Sequence, residues 1–202
     1  MGVLEIADII GVIAFALSGF YVAAKDRLDL LGVFISSFLT ALGGGIMRDV
    51  AADRIPYTFT HLLPGMLVLG VLVFAILFKL HKHDQVEQKF LFVISDTIGL
   101  VSFSITGSLI ALEVGYNFFG VILLALTTAV GGGVIRDVLL NKVPLLLSTG
   151  LYGTVALIVG GCIFVLDCFE LVSFASLLGV GFCGIALRLT AYYRSWHLPI
   201  LK

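Results

Sequence analysis

The chain has 202 residues, of which 60% are hydrophobic and 12% charged, with a formal net charge of −1 and a mean hydropathy of +1.16. These values lie far outside those of soluble domains. The positive and negative charges are balanced and scattered, so they do not form the basic patch that binds nucleic acid. The sequence therefore predicts an integral membrane protein with no nucleic-acid partner.

Seven apolar segments follow one another along the chain, at 4–24, 30–52, 62–80, 90–112, 118–140, 147–166 and 171–191. About 20 apolar residues span a bilayer as a helix, and these continuous runs lack the alternation of a membrane barrel. The connecting loops are short, and the longest hydrophilic one covers 81–89. We expect an all-α fold of seven transmembrane helices in a single membrane domain, 1–202, whose function lies within the bilayer.

The sequence offers no catalytic motif: it has no Walker-type phosphate loop, no paired-cysteine motif and no Ser/His/Asp arrangement. His81, His83, Asp84 and Glu87 could hold a metal ion, but a solvated loop is the favoured interpretation. We therefore expect no enzymatic activity, no cofactor and no metal site.

The basic residues are distributed unequally between the two sides of the membrane. With seven spans, nine lie on the side of the first loop, namely Lys25, Arg27, Lys79, Lys82, Lys89, Lys142, Arg188, Arg194 and Lys202. The opposite side has Arg54 alone. Because basic loops stay in the cytoplasm, we expect the N-terminus outside and the C-terminus in the cytoplasm.

The first half of the chain is repeated in the second half. Shifted by 88 residues, 8–56 aligns with 96–144 without a gap, and 17 of the 49 pairs are identical. Each copy holds three spans, and an odd number inverts the second copy in the membrane. The sequence therefore predicts two inverted repeats, 4–80 and 90–166, followed by an additional helix at 171–191.

Both copies carry the motif GGG-x-x-RD, as Gly43, Gly44, Gly45, Arg48 and Asp49 and again as Gly131, Gly132, Gly133, Arg136 and Asp137. Consecutive glycines weaken a helix, and exposed backbone is tolerated at membrane depth only beside protein or water. We expect the second and fifth spans to be broken or kinked there and to line a polar path. The alternative is close helix packing.

The charges of the motif need partners inside the membrane. By depth and side, Asp8 suits Arg48 and Asp96 suits Arg136, whereas adjacent residues on a helix point in different directions. Snorkelling of the arginines to lipid headgroups is the alternative. We expect these six charges to form a pore or gate network.

Hydroxyl groups recur at equivalent positions, at Ser18 and Thr106 and at Thr40 and Thr128. Asp8, Gly11, Phe15 and Ser18 share one face of the first span, and the fourth span repeats that spacing. We expect the four hydroxyls to line the path and ligate a partly dehydrated cation, although they could equally bond backbone or bridge helices.

Seven spans in inverted repeats with GGG-x-x-RD in the second and fifth resemble the TRIC family of trimeric intracellular cation channels, in its prokaryotic branch, whose bacterial members are also labelled glycine-transporter-like. The likeness covers about residues 4–191. It implies a homotrimer with one pore per protomer, conducting potassium and less selectively sodium, with the broken helices shaping the pore. It also implies membrane lipids as partners and a prokaryotic inner membrane as the location.

The sequence thus predicts a passive monovalent-cation channel. The principal alternative is a secondary transporter of a small solute such as glycine, because an arginine near a broken helix would suit a carboxylate. A non-conducting scaffold is disfavoured by the two symmetric sets of intramembrane charge.

Overall fold

The computed structural model describes residues 2–82, 85–148 and 151–196, and this part of the chain is helical. The helices are α1 (Val3–Lys25), α2 (Leu30–Ala51), α3 (Tyr57–Thr60), α4 (Leu63–Leu77), α5 (Gln85–Glu113), α6 (Phe118–Leu139), α7 (Leu145–Ser148), α8 (Tyr152–Cys168) and α9 (Phe174–Tyr193). A short 3-10 turn, Leu80–Lys82, follows α4. The all-α prediction is confirmed, while His83, Asp84 and Lys202 lie outside the described residues.

Among the described residues, five helices are long and apolar enough to cross a membrane: α1, α2, α5, α6 and α9. Predicted spans three and six are shorter than expected, because α4 has 15 residues and α8 has 17. In each case a separate four-residue helix, α3 or α7, precedes the apolar helix. Large apolar side chains such as Leu30, Leu62 and Phe182 are exposed. The chain is a multi-pass membrane protein.

Equivalent residues begin and end the second and fifth long helices. The side chain of Asp29 accepts a hydrogen bond from Gly32 N at the start of α2, and Asn117, 88 residues later, does the same for Gly120 N at the start of α6. Beyond the other ends, Asp53 and Asn141 both adopt φ of 54°. An N-cap is an ordinary signal for the start of a helix, and a left-handed residue just after a helix is an ordinary signal for its end. Because both signals recur 88 residues apart, the two helices have matching lengths.

The two copies pack against each other reciprocally through α1 and α5. The ring of Phe103 fills the space above Gly11, and the ring of Phe15 fills the space above Gly99. The two rings meet edge to face with their centroids 5.2 Å apart. Each glycine thus provides a recess for the partner's phenylalanine, which explains the one-face spacing seen in the sequence.

The structure shows no helix break at the triple glycines, and a kink there stays a prediction. Both α2 and α6 are continuous α-helices through Gly43–Gly45 and Gly131–Gly133. The reason is that the glycines permit backbone contact: a Cβ on Gly43 would lie 3.1 Å from the Cα of Gly132. The close-packing alternative therefore describes the first two glycines of each motif, because the helices cross where neither has a side chain.

Candidate functional site

A first charge cluster, formed by Asp8, Arg48, Asp49 and Thr106, lies where α2 ends beside α1 and α5. Arg48 Nη1 donates to Asp8 Oδ1 at 2.7 Å and to Thr106 Oγ1 at 3.1 Å, and Arg48 Nε donates to Asp49 Oδ1 at 2.9 Å. The predicted pair of Asp8 and Arg48 is therefore present. Because Arg48 is only 4% exposed, it is held inside the protein and does not snorkel to headgroups.

A second charge cluster, formed by Ser18, Asp96, Arg136 and Asp137, occupies the equivalent place on α6. Arg136 Nε donates to Asp137 Oδ1 at 2.8 Å, and Arg136 Nη1 reaches Ser18 Oγ at 3.4 Å. The Ser18 hydroxyl in turn donates to Asp96 Oδ1 at 3.1 Å. The predicted ion pair of Asp96 and Arg136 is thus replaced by a bridge through the Ser18 hydroxyl.

The aspartate next to each arginine has two roles that the sequence did not indicate. Asp49 and Asp137 bind the adjacent guanidinium with Oδ1, contrary to the expectation that neighbours on a helix point apart. The pairing forms because Nε lies close to the arginine's own backbone, which leaves Nη1 free to cross to another helix. With Oδ2, the same carboxylates accept Tyr57 N at 2.9 Å and Leu145 N at 3.1 Å. Each aspartate therefore fixes both its arginine and the short helix that follows.

The third glycine of each motif lies beside the guanidinium group of its own arginine. A Cβ on Gly45 would lie 4.0 Å from Arg48 Nη2, and one on Gly133 would lie 3.8 Å from Arg136 Nη2. The motif thus divides into two parts. Its first two glycines form the crossing of α2 and α6, while its third glycine and the Arg-Asp pair belong to a charge cluster.

A cavity of about 390 Å³ opens beside the first charge cluster. Its polar walls include Glu5, Asp8, Gly45, Arg48, Arg54 and His61. Asp8 faces it with 23% of its side chain exposed, whereas Arg54 is bound to Glu113 by two hydrogen bonds of 3.1 and 3.2 Å. The first cluster contains two carboxylates and one guanidinium, so the formal charge of the cluster beside the cavity is negative.

The four predicted hydroxyls divide into two kinds, although all are fully buried. Ser18 and Thr106 belong to the charge clusters, where each accepts a hydrogen bond from an arginine of the other repeat. Thr40 and Thr128 donate to the carbonyl oxygens of Ser36 and Leu124 in their own helices, both at 2.6 Å. The backbone-bonding alternative therefore describes the second pair.

Two further residues stand at the second charge cluster. Arg188 of α9 is 4% exposed and Tyr152 of α8 is 3% exposed, with the guanidinium carbon 4.8 Å from the centre of the tyrosine ring. Both interact electrostatically with Asp96. Arg188 is one of the basic residues assigned above to the loops, so its place beside the second cluster was not predicted. Its position inside the apolar run GIALRLTAYY was the available signal.

Comparison with known proteins finds a matching family model and relatives that cover nearly the whole chain. The family model described as glycine transporter matches residues 5–80 and again 93–167, and these segments start 88 residues apart. The UPF0126 membrane protein YvgT of Bacillus subtilis is 34% identical over 96% of this chain and 95% of its own length. The inner membrane protein YadS of Escherichia coli K12 is 32% identical over 96% of this chain and 92% of its own length.

Solved structures agree along the whole fold. A prokaryotic TRIC channel crystallised in 0.5 M KCl superposes with a TM-score of 0.88 at 31% identity, over 96% of this chain and 98% of its own. The TRIC orthologue from Rhodobacter sphaeroides gives 0.86 at 29% identity, over 96% and 99%. A third chain, from work on conductance through TRIC cation channels, gives 0.84 at 33% identity, over 98% and 97%.

Proposed function

We propose that this chain, which belongs to the TRIC family in its prokaryotic branch, is a passive monovalent-cation channel that conducts potassium and also sodium. Each protomer of a homotrimer would contain its own pore. The observation that carries this proposal is the cavity beside the first charge cluster, since its wall combines net negative charge with an arginine already bound by two carboxylates.

An uncompensated arginine in a narrow path would repel cations, but Arg48 is compensated. Asp8 and Asp49 both lie within 3 Å of its guanidinium nitrogens. Asp8 lines the cavity with part of its side chain exposed, so a partly dehydrated potassium ion can exchange water for carboxylate oxygen there. This arrangement supports cation entry and disfavours anions.

The path would run between two inverted repeats, 4–80 and 90–166, with 171–191 as an additional helix and the whole chain as one membrane domain. The reciprocal contacts of Gly11 with Phe103 and of Gly99 with Phe15 support this pseudo-two-fold plan. The five long helices and the two shorter apolar ones, α4 and α8, would all cross the membrane, in an inner membrane of a prokaryote. The N-terminus would lie outside, which places the first charge cluster at the outer mouth and the second at the cytoplasmic one.

The crossing of α2 and α6 would act as the fixed point between the halves. Gly43, Gly44, Gly131 and Gly132 hold the two backbones in contact, so the Arg-Asp pairs beyond them are set at a constant separation. Ser18 and Thr106 would couple each half's charge cluster to the other half, because each accepts from the opposite arginine.

The test is potassium flux from proteoliposomes containing the purified protein. We expect flux that follows the electrical gradient, does not saturate at millimolar potassium and falls severalfold in Asp8→Asn. Asp167→Asn is the matched control, since it removes an exposed carboxylate at the end of α8 that does not line the cavity. Saturable uptake of labelled glycine driven by a proton or sodium gradient, without potassium current, would refute the channel and establish the transporter.

A further inference from the structure

The two charge clusters differ in their access to solvent. Asp8 in the first cluster has 23% of its side chain exposed and faces the cavity. Its counterpart Asp96 in the second cluster is 3% exposed, and Arg136 beside it is 1% exposed. Since the helices and motifs of the two repeats match, the difference must come from residues outside the motif.

One such difference lies at the start of the third long helix of each repeat. Pro64 in α4 lines the cavity of the first cluster. The residue 88 positions later is Tyr152 at the start of α8, which is buried and interacts electrostatically with Asp96. A bulky aromatic side chain thus stands beside the second carboxylate where a small proline stands beside the first.

The other difference is Arg188, which belongs to α9 and so to the segment outside the predicted duplication. Its guanidinium carbon lies 4.8 Å from the centre of the Tyr152 ring and 5.8 Å from that of Tyr192. Arg188 Nε is buried and has no hydrogen-bond partner. The cation therefore lies against two aromatic faces, a set of contacts that it can leave without breaking a hydrogen bond at Nε.

We propose that Tyr152 and Arg188 form the closed gate of the second half of the path, by covering Asp96 and supplying the positive charge that a permeating cation would replace. This inference rests on the proposed channel function. Opening requires the pair to move away from Asp96, which then offers its carboxylate to the path as Asp8 does. Among the residues that the structure describes, no tyrosine–arginine pair of this kind lies beside Asp8, which stays accessible from the cavity.

Single-channel recording in planar bilayers with symmetric potassium chloride tests the gate. We expect Arg188→Gln to raise the ratio of open to closed time about thirtyfold, as loss of a desolvated cation–π contact would do, with the single-channel conductance retained. Arg188→Lys keeps the charge and should remain close to the unmodified protein. Arg194→Gln, which removes an exposed charge at the end of α9, is the matched control and should change nothing.

Tyr152→Phe provides a second and milder variant, because it keeps the ring against Arg188 and removes only the hydroxyl that interacts with Asp96. It should raise the open probability in the same direction by a smaller factor, and it decides the matter if Arg188→Gln does not fold. Open probability that is unchanged or lowered in the folded variants would overturn the gate. An unmodified protein that carries no potassium current would instead overturn the channel function itself.

Discussion

Replacing glycine by alanine near the crossing of α2 and α6 should have opposite effects on stability at two neighbouring positions, Gly132 and Gly133. In Gly132→Ala the new Cβ would lie 2.7 Å from the Leu39 carbonyl oxygen and would also overlap that of Thr40. A carbon–oxygen contact needs about 3.3 Å, so the first contact alone is short by about 0.6 Å. Both oxygens belong to helix backbone and cannot rotate away, so the two helices must move apart.

The expected magnitude follows from two opposing effects. Overpacking of this kind costs about 3 kcal/mol, at the upper end of the usual range because backbone is displaced. Replacing glycine by alanine in a helix returns about 1 kcal/mol, which leaves Gly132→Ala about 2 kcal/mol less stable. Gly133→Ala is the matched control, because its Cβ would meet its nearest neighbour only at 3.8 Å, and this variant should gain up to about 1 kcal/mol.

The measurement is the free energy of unfolding in mixed detergent micelles, obtained from titration with a denaturing detergent and followed by circular dichroism. The pair Gly44→Ala and Gly45→Ala should reproduce the result, since a Cβ on Gly44 would overlap the Thr128 carbonyl whereas one on Gly45 lies 4.0 Å from its neighbour. Equal stability of Gly132→Ala and Gly133→Ala would refute the backbone crossing as the reason for the glycines.

Three further outcomes follow from the contacts. Asp137→Asn should lower the free energy of unfolding by about 3 kcal/mol, because it leaves the buried Arg136 without its ion pair. A loss below about 1 kcal/mol in the same detergent titration would contradict this role. Thr106→Val should reduce potassium flux, whereas Thr128→Val should leave flux within about twofold, because only the Thr106 hydroxyl accepts a hydrogen bond from an arginine. The same proteoliposome assay compares the two variants, and equal flux would contradict the division of the hydroxyls into two kinds. Glu113→Gln should change the free energy of unfolding by less than about 0.5 kcal/mol, because the Glu113 side chain is 58% exposed and its ion pair with Arg54 lies at the surface. A larger loss in the same titration would mean that the membrane shields this ion pair from water.

The sequence predicted the parts of this fold that depend on local pattern. The 88-residue offset and the apolar runs are enough to place the long helices and to pair Asp8 with Arg48. These features depend on spacing along the chain, and spacing within a helix converts directly into a face and a depth.

The parts that the sequence did not predict depend on contacts between distant segments. Three glycines weaken an isolated helix, and only the fit of Gly44 and Gly132 against the other helix shows why α2 and α6 stay intact. Likewise, Asp96 and Arg136 have the same spacing as their counterparts, but Tyr152 and Arg188 crowd the second cluster from α8 and α9. No pattern within one repeat could show that Arg188 is brought to the cluster by α9, which lies outside both repeats.

The crossing of α2 and α6 has a consequence for the ancestry of the chain. Gly44 meets Thr128, and Gly132 meets Thr40, which are equivalent residues 88 positions apart, so the contact is self-complementary in the way of a two-fold homodimer interface. A three-helix precursor could therefore have associated with an inverted copy of itself before the two became one polypeptide. Once fused, the copies were released from the identity that a homodimer imposes, and proline could persist in one where tyrosine arose in the other.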